Sequence, residues 1–256
     1  LTHDIDTIKK WTLKKFIKET IFNFEKKSFL RNFFNFFGSM IDYKSDPYFN
    51  FEKILAISDK HNIKSVFLFM ALKRNEFDFR YPLKKVKSFL EKLSTNNNHS
   101  FGLHLSRLSY NNPVNASKEV ERFKSLTKMK IKYNRQHYLM FDVNSTWKIL
   151  DEHDITYDLS LGYPEMPGFR CGICYPFHTF DIINKKKLDL VEIPLIIMDV
   201  TLFDYLKDKN FKDDLNEIIN NVKRYNGVLN ILWHNDNYDE PVFKKNKDLF
   251  YNIINN

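Results

Sequence analysis

The sequence predicts an α/β fold, a parallel sheet interleaved with helices in one continuous barrel-like domain. Three observations carry this. Residues 65–70 and 228–233 are continuous apolar runs, as expected of strands buried on both faces. Segments of helical periodicity lie between such runs, and strands separated in this way form parallel βαβ units. At 256 residues, 43% apolar and 28% charged, the chain is globular and long enough for one sizeable core.

The elements follow in order. Thr2-His3-Asp4-Ile5-Asp6 opens on a strand. Residues 12–46 break the rhythm; rich in Phe and Lys, they read as a helical insertion covering one mouth of the sheet. Residues 51–61 are helical, with Phe51, Ile54 and Leu55 on one stripe, Ile57 at its margin and Ser58 ending the apolar face. The run 65–70 is a strand. Residues 82–93 are helical with Pro82 in the first turn, 101–105 a strand, and 116–129 a helix capped by Asn115. Residues 145–153 form a helix and 188–193 a strand. Residues 211–225 form a long amphipathic helix closed by Gly227. The run 228–233 is a buried strand and 244–254 a final helix. No repeat or low-complexity linker divides the chain, so residues 1–256 are expected to be a single domain.

Composition excludes several classes. Two cysteines make no disulfide scaffold and fit a reducing compartment. Six glycines, none spaced as a phosphate loop or dinucleotide fingerprint, exclude those folds. No apolar run reaches the roughly 18 residues of a membrane span. The net charge of +8 could serve a nucleic-acid surface, but the lysines are scattered among Asn, Ile, Phe and Tyr. No nucleic-acid partner is expected; a basic surface suits an anionic glycan equally well. Leu1 is not a methionine and no leader pattern follows it, so the expectation is a truncated first strand with any targeting signal upstream. The cytoplasm is the expected compartment, envelope association the alternative.

Five segments could carry chemistry. On a strand, Asp4 and Asp6 share a face. Two carboxylates so close repel unless a cation lies between them or one holds a proton, which suits one to bind metal and the other to act as base. A solvated acidic turn is the plainer alternative. In Asn98-His99-Ser100-Phe101-Gly102-Leu103-His104 the two histidines cannot share a face, and Gly102 permits close approach beside His104. Packing in the core would also account for His104. In Tyr133-Asn134-Arg135-Gln136-His137-Tyr138, Arg135 can fix a carboxylate and His137 can bind metal; a polar strand edge is the other reading. Cys171 and Cys174 have redox-motif spacing without its βαβ context, and read as buried thiols in a substrate-facing loop. His234, at the end of a buried strand, is placed for general acid work or for satisfying its neighbours. No Gly-x-Ser-x-Gly elbow supports a serine hydrolase.

In this order the five segments resemble the polysaccharide deacetylases of the NodB-homology type (carbohydrate esterase family 4), in a divergent bacterial branch with a Thr-His-Asp-x-Asp start. The resemblance runs from Leu1 to about Asn235. It is strongest in Arg-Gln-His-Tyr-Leu, Thr-Trp, Tyr-Asp-Leu-Ser-Leu-Gly-Tyr, Gly-Phe-Arg-Cys-Gly and Glu-Ile-Pro-Leu, between Arg135 and Leu202. It implies a distorted (β/α)7 barrel with its site at the carboxyl ends of the strands. It implies Asp4 as general base, Asp6 and His104 as metal ligands and Arg135 as the group orienting the base. The Tyr138 N–H would be the oxyanion donor and His234 the general acid. Asp158 would be a carboxylate partner for Arg135, with Arg170 and Trp233 at the substrate. The family's second motif carries another histidine four residues after the first; here Leu108 stands there and cannot bind metal. His137 is the candidate replacement, and His99 is expected to be structural.

The implied activity is metal-dependent removal of acetyl groups from N-acetylated sugars of a surface or cell-wall polysaccharide, with zinc as the expected metal. Two alternatives remain: an impaired, glycan-binding pseudoenzyme, which Leu108 favours, and a hydrolase of another C–N bond.

Overall fold

The computed structural model describes residues 1–22, 26–207 and 211–255. Strand β1 (Thr2–Ile5) is buried throughout. Two helices follow, α1 (Leu13–Phe22) and α2 (Lys26–Ile41), in the stretch expected as an insertion; residues 23–25 of that stretch lie outside the described residues. Helix α3 (Phe51–Lys60) buries Phe51, Ile54, Leu55 and Ser58. Ser58 can extend an apolar face because its hydroxyl is satisfied there, 3.0 Å from the Ile54 carbonyl and 2.7 Å from the Ser65 hydroxyl.

Strand β2 (Val66–Phe69) leads to α4 (Lys87–Ser94), which a short 3-10 turn after Pro82 precedes. Strand β3 (Ser100–Leu105) leads to α5 (Pro113–Thr127). The cap of α5 is Asn112 and not Asn115: the Asn112 side chain accepts the Asn115 N–H, and Pro113 starts the helix three residues earlier than expected. Then come β4 (Tyr133–Gln136), α6 (Thr146–Glu152), β5 (Tyr157–Asp158), β6 (Phe177–Asp181), β7 (Lys186–Glu192) and β8 (Ile197–Met198). Helix α7 (Lys212–Arg224), strand β9 (Ile231–Leu232) and α8 (Glu240–Ile254) end the chain.

Gly227 does not supply the left-handed residue that closes α7. Asn226 does, at φ 51°, while the Gly227 N–H reaches back to the Val222 carbonyl at 2.8 Å and the Asn226 N–H to Lys223 at 3.0 Å. Gly227 is needed for another reason: a Cβ there would stand 2.2 Å from Cys174 Sγ.

All nine strands form one sheet in the order β6-β7-β5-β4-β3-β2-β1-β9-β8. Every pairing is parallel except β6 with β7. The α/β class is as expected, but the ladder is open, a nine-stranded sheet where a distorted (β/α)7 barrel was expected. The reason is local. Strand β6 folds back on β7 and takes its outer edge, so β7 cannot pair with β8. The chain instead crosses from β7 to the far edge. On the way Ile193 donates to Asp158 and Leu195 to Leu161 on the side of β5, and Ile196 donates to Asn230 on the side of β9. Under the sheet, Ile5, Phe67 and Phe69 pack with Phe51 and Phe89; the Phe51 and Phe89 rings lie 4.9 Å apart. Among the described residues no helix is long and apolar enough to cross a membrane.

Candidate active site

The site lies where the central parallel strands end, as it does in sheets of this kind. A cavity of about 310 Å³ is lined there by Asp4, Asp6, His104, His137, Tyr138 and His234. An apolar wall of Leu139, Met198, Val200 and Leu232 faces the same space.

Register explains the gathering. His104 on β3 pairs with Arg135 on β4, and Asp4 on β1 with Leu68 on β2. The close packing of β3 on β4 depends on Gly102, where a Cβ would meet the Tyr133 carbonyl oxygen at 2.3 Å. Alternation along β1 sends Ile5 into the core and Asp4 and Asp6 to the cavity.

Asp4 is buried and bonded. Its Oδ1 accepts Arg135 Nη1 at 2.8 Å. Arg135 is fully buried, and also donates to the Leu159 carbonyl and the Thr2 hydroxyl. Burial alone would raise the Asp4 pKa, but the guanidinium outweighs it and holds the carboxyl below its ordinary range.

Asp6, His104 and His137 form a cluster whose ligand atoms all lie within 4.8 Å of one another. His104 Nδ1 is 2.9 Å from the Arg135 carbonyl, which can only accept, so Nδ1 carries the proton. In the neutral ring His104 Nε2 then points a lone pair at Asp6 Oδ1, 3.2 Å away. Asp6 Oδ1 is buried with no hydrogen-bond donor among the described residues. Two acceptors so placed need a proton or a metal ion between them. His137 stands beside this pair: Nε2 is 3.7 Å from Asp6 Oδ2, and Nδ1, without a hydrogen-bond partner among the described residues, is 3.3 Å from Asp78 Oδ2. A carboxylate behind a histidine is how proteins orient a metal-binding imidazole. The donor set, two imidazoles and a carboxylate, fits a tetrahedral cation with one open position.

Across the cavity, His234 Nδ1 lies 2.7 Å from Asp199 Oδ1, and the His234 backbone N–H donates to Asp199 Oδ2 at 2.6 Å. Burial would lower the His234 pKa, but the Asp199 charge and hydrogen bond overcome it and raise the pKa well above the ordinary imidazole value. With Nδ1–H committed to Asp199, Nε2 is the nitrogen free to exchange a proton. Tyr138 and Leu139 sit at φ 59° and 52°, two successive left-handed residues without glycine at the cavity wall.

Comparison with solved structures places this architecture. A structure described as "putative polysaccharide deacetylase from Mycobacterium smegmatis" matches with a TM-score of 0.60 over 99% of this chain and 82% of that one, at 13% identity. This chain has the fold of that protein. A second, described as a "putative polysaccharide deacetylase involved in o-antigen biosynthesis" from Bordetella bronchiseptica, covers 80% of this chain and 75% of its own, at 15% identity and a TM-score of 0.46. No protein-family model matches the chain, and no curated protein matches it.

On this fold, the expected roles of three residues come out differently. Trp233 is fully buried, its ring packed on Phe250 at 4.7 Å and Phe203 at 5.3 Å, because it points to the opposite face of its strand from Leu232. Arg170 is outside the cavity lining and donates to the Gly162 carbonyl at 2.9 Å. Asp158 does not touch Arg135, whose donors are taken by Asp4, Thr2 and Leu159; it accepts instead from Asn134 and Ser160. Cys174 packs against Gly227, and burial pushes the Cys171 thiol up to about 12; neither cysteine lines the cavity. His99 accepts the Ser65 N–H and meets Asp59, a structural arrangement away from the site. Leu108 is exposed beyond the end of β3.

Two residues escaped the sequence reading. Asp199 closes the apolar run 195–198, and a carboxylate at the end of a buried strand was a usable signal. Asp78 lies in a polar loop with nothing to distinguish it.

Proposed function

We propose that this chain is a metal-dependent carbohydrate deacetylase, acting on N-acetylated sugars of a surface or cell-wall polysaccharide. One observation carries the reading: a single cavity is lined by Asp4, with Arg135 bonded behind it, by the metal-suited Asp6–His104–His137 cluster and by His234, with Asp199 bonded behind it. The fold shared with the mycobacterial structure supports it.

In this reading Asp6, His104 and His137 hold a divalent cation, with zinc the metal best suited to the donor set. When bound, it supplies Lewis-acid polarisation and a water acidified toward a pKa of about 7. Asp4, kept ionised by Arg135, takes a proton from the attacking water as the new C–O bond forms. The Tyr138 N–H donates to the developing oxyanion, a contribution of about 3 kcal/mol in comparable sites. His234 gives its Nε2 proton to the leaving nitrogen as the C–N bond breaks, so acetate and a free amine result. Asp199 keeps that imidazole charged and oriented. Leu139, Met198 and Leu232 offer an apolar surface for the acetyl methyl.

The pseudoenzyme alternative rested on Leu108. His137, standing beside Asp6 with Asp78 behind it, supplies the imidazole that Leu108 lacks, which favours turnover.

The test is acetate release from N-acetylglucosamine oligosaccharides by zinc-loaded protein. Release is expected from the wild type. Asp4→Asn should lose it by more than about 100-fold while elemental analysis shows unchanged metal content. Equal activity in the variant would refute the assignment of the base. No release from any N-acetylated glycan tested would refute the deacetylase reading.

A further inference from the structure

Helix α2 carries its apolar residues on the wrong side for a core helix. Asn32, Phe36 and Ser39 face inward and are buried, so the inner face is largely polar. Leu30, Phe33, Phe34, Phe37 and Ile41 fall at i, i+3, i+4, i+7 and i+11, one stripe of a 3.6-residue helix. All five are exposed, Phe34 by 69% and Ile41 by 90%. The Phe33 and Phe37 rings meet at 4.5 Å, so the stripe is a continuous surface. Helix α1, joined to α2 through the Phe16–Phe36 stack at 4.3 Å, adds exposed Leu13 and Ile17. Isolated exposed apolar side chains are ordinary, but a contiguous stripe marks an interaction site.

Charge identifies what it fits. Between Lys9 and Asp46 the sequence carries nine Lys and Arg against four Asp and Glu, so this segment holds most of the chain's net +8. Lys14, Lys18 and Arg31 are exposed on the same two helices. A second copy of this chain would bring the same positive charge against it. An anionic bilayer complements both features: apolar side chains enter the boundary between headgroups and acyl chains while lysines meet the phosphates. Helix α1 also leaves from the carboxyl end of β1, the end where Asp6 stands.

We propose that the α1–α2 pair docks on an anionic membrane surface and holds the cavity's end of the sheet beside it. The docking does not depend on the site's chemistry. Only its consequence, delivery of an N-acetylated saccharide carried at that surface, rests on the deacetylase reading.

Vesicle co-sedimentation tests it. The chain should pellet with phosphatidylglycerol–phosphatidylethanolamine vesicles, less at raised ionic strength, and little with phosphatidylcholine alone. The double variant Phe34→Ser, Ile41→Ser alters two side chains that stand in solvent, so the fold should persist by circular dichroism. Its partitioning should weaken by about tenfold or more, with acetate release from a soluble oligosaccharide unchanged. Absence of wild-type binding, or equal binding by the variant, would overturn the proposal. So would a wild-type dimer in sedimentation velocity that the variant dissolves without vesicle binding by either. Vesicle binding without acetate release would leave the docking intact and count against the deacetylase reading alone.

Discussion

The behaviour of His137 decides how the cluster works. It stands beside Asp6 because β4 ends one residue before it, which puts its Nε2 3.7 Å from Asp6 Oδ2, and in the proposed function it is the third donor. Loss of a residue that merely supports a ligand costs about 10–100-fold in metal affinity, and loss of a ligand costs at least that. His137→Ala is therefore expected to lower zinc affinity by about 100-fold or more, read by competition with a chromogenic chelator. Unchanged affinity would place the third donor elsewhere. Asp199 offers a second test at this scale. It raises the His234 pKa by its charge, so the alkaline limb of the activity profile should lie above the ordinary imidazole range. Asp199→Asn removes the charge and should move that limb to lower pH. It should also reduce the rate by about 10²–10⁴-fold, the usual weight of a general acid. A profile of unchanged shape would show that another group donates the proton. The sequence made Asp4, Asp6, His104, His137 and His234 legible because carboxylates and imidazoles at strand ends are conspicuous. It misled at Trp233 and Arg170, since which face a strand residue takes depends on register, and register is set by neighbours far along the chain.

Strands β5 and β7 hold a feature of a different kind. Asp158 and Glu192 are paired in register and both are fully buried. Asp158 Oδ2 has no donor among the described residues, while Glu192 accepts from Trp147 and from the Leu161 N–H. Burial and mutual repulsion raise the Glu192 pKa well above the ordinary 4.5, and burial raises that of Asp158. One proton between the two carboxyls satisfies both. The folded state then binds a proton that the unfolded chain releases. Its stabilising contribution is complete below the unfolded pKa and declines as pH rises toward the folded pKa, by about 1.4 kcal/mol per unit for one proton. Thermal midpoints should therefore fall between weakly acidic and neutral pH. Asp158→Asn keeps the acceptor used by Asn134 and Ser160 and supplies a permanent donor toward Glu192, so its midpoint should vary less over that interval. Parallel curves for the two proteins would exclude the shared proton. Neither β5 nor the antiparallel β6 was legible in advance. Two residues are too few for periodicity, and β6 alternates poorly, with exposed Phe180 beside buried Asp181.

At the level of the whole molecule, the cluster ties together distant parts of the sheet. Asp6, His104 and His137 follow β1, close β3 and follow β4, and the unfolded chain separates them by tens of residues. The strands β1, β2 and β3 were readable as apolar runs between helices, and so was the end of the sheet where the site would lie; β4, polar at Asn134, Arg135 and Gln136, was readable only as a strand edge. Closure was not, because it hinges on where the segment between β7 and β8 crosses and on β6 covering an edge. A cation bound by donors that only the folded sheet brings together stabilises that state and not the unfolded one. The gain follows mass action, about 2.7 kcal/mol when free metal is 100 times its dissociation constant. For a chain of this size each kcal/mol raises the melting midpoint by about 2–4 °C, so saturating zinc should raise it by about 5–10 °C. The same addition should leave Asp6→Asn and His137→Ala nearly unmoved, since each removes one of three donors. Calorimetry with chelator and with zinc measures this directly. Equal shifts in wild type and both variants would mean that zinc binds at another place, and the metal assignment for this cavity would fall.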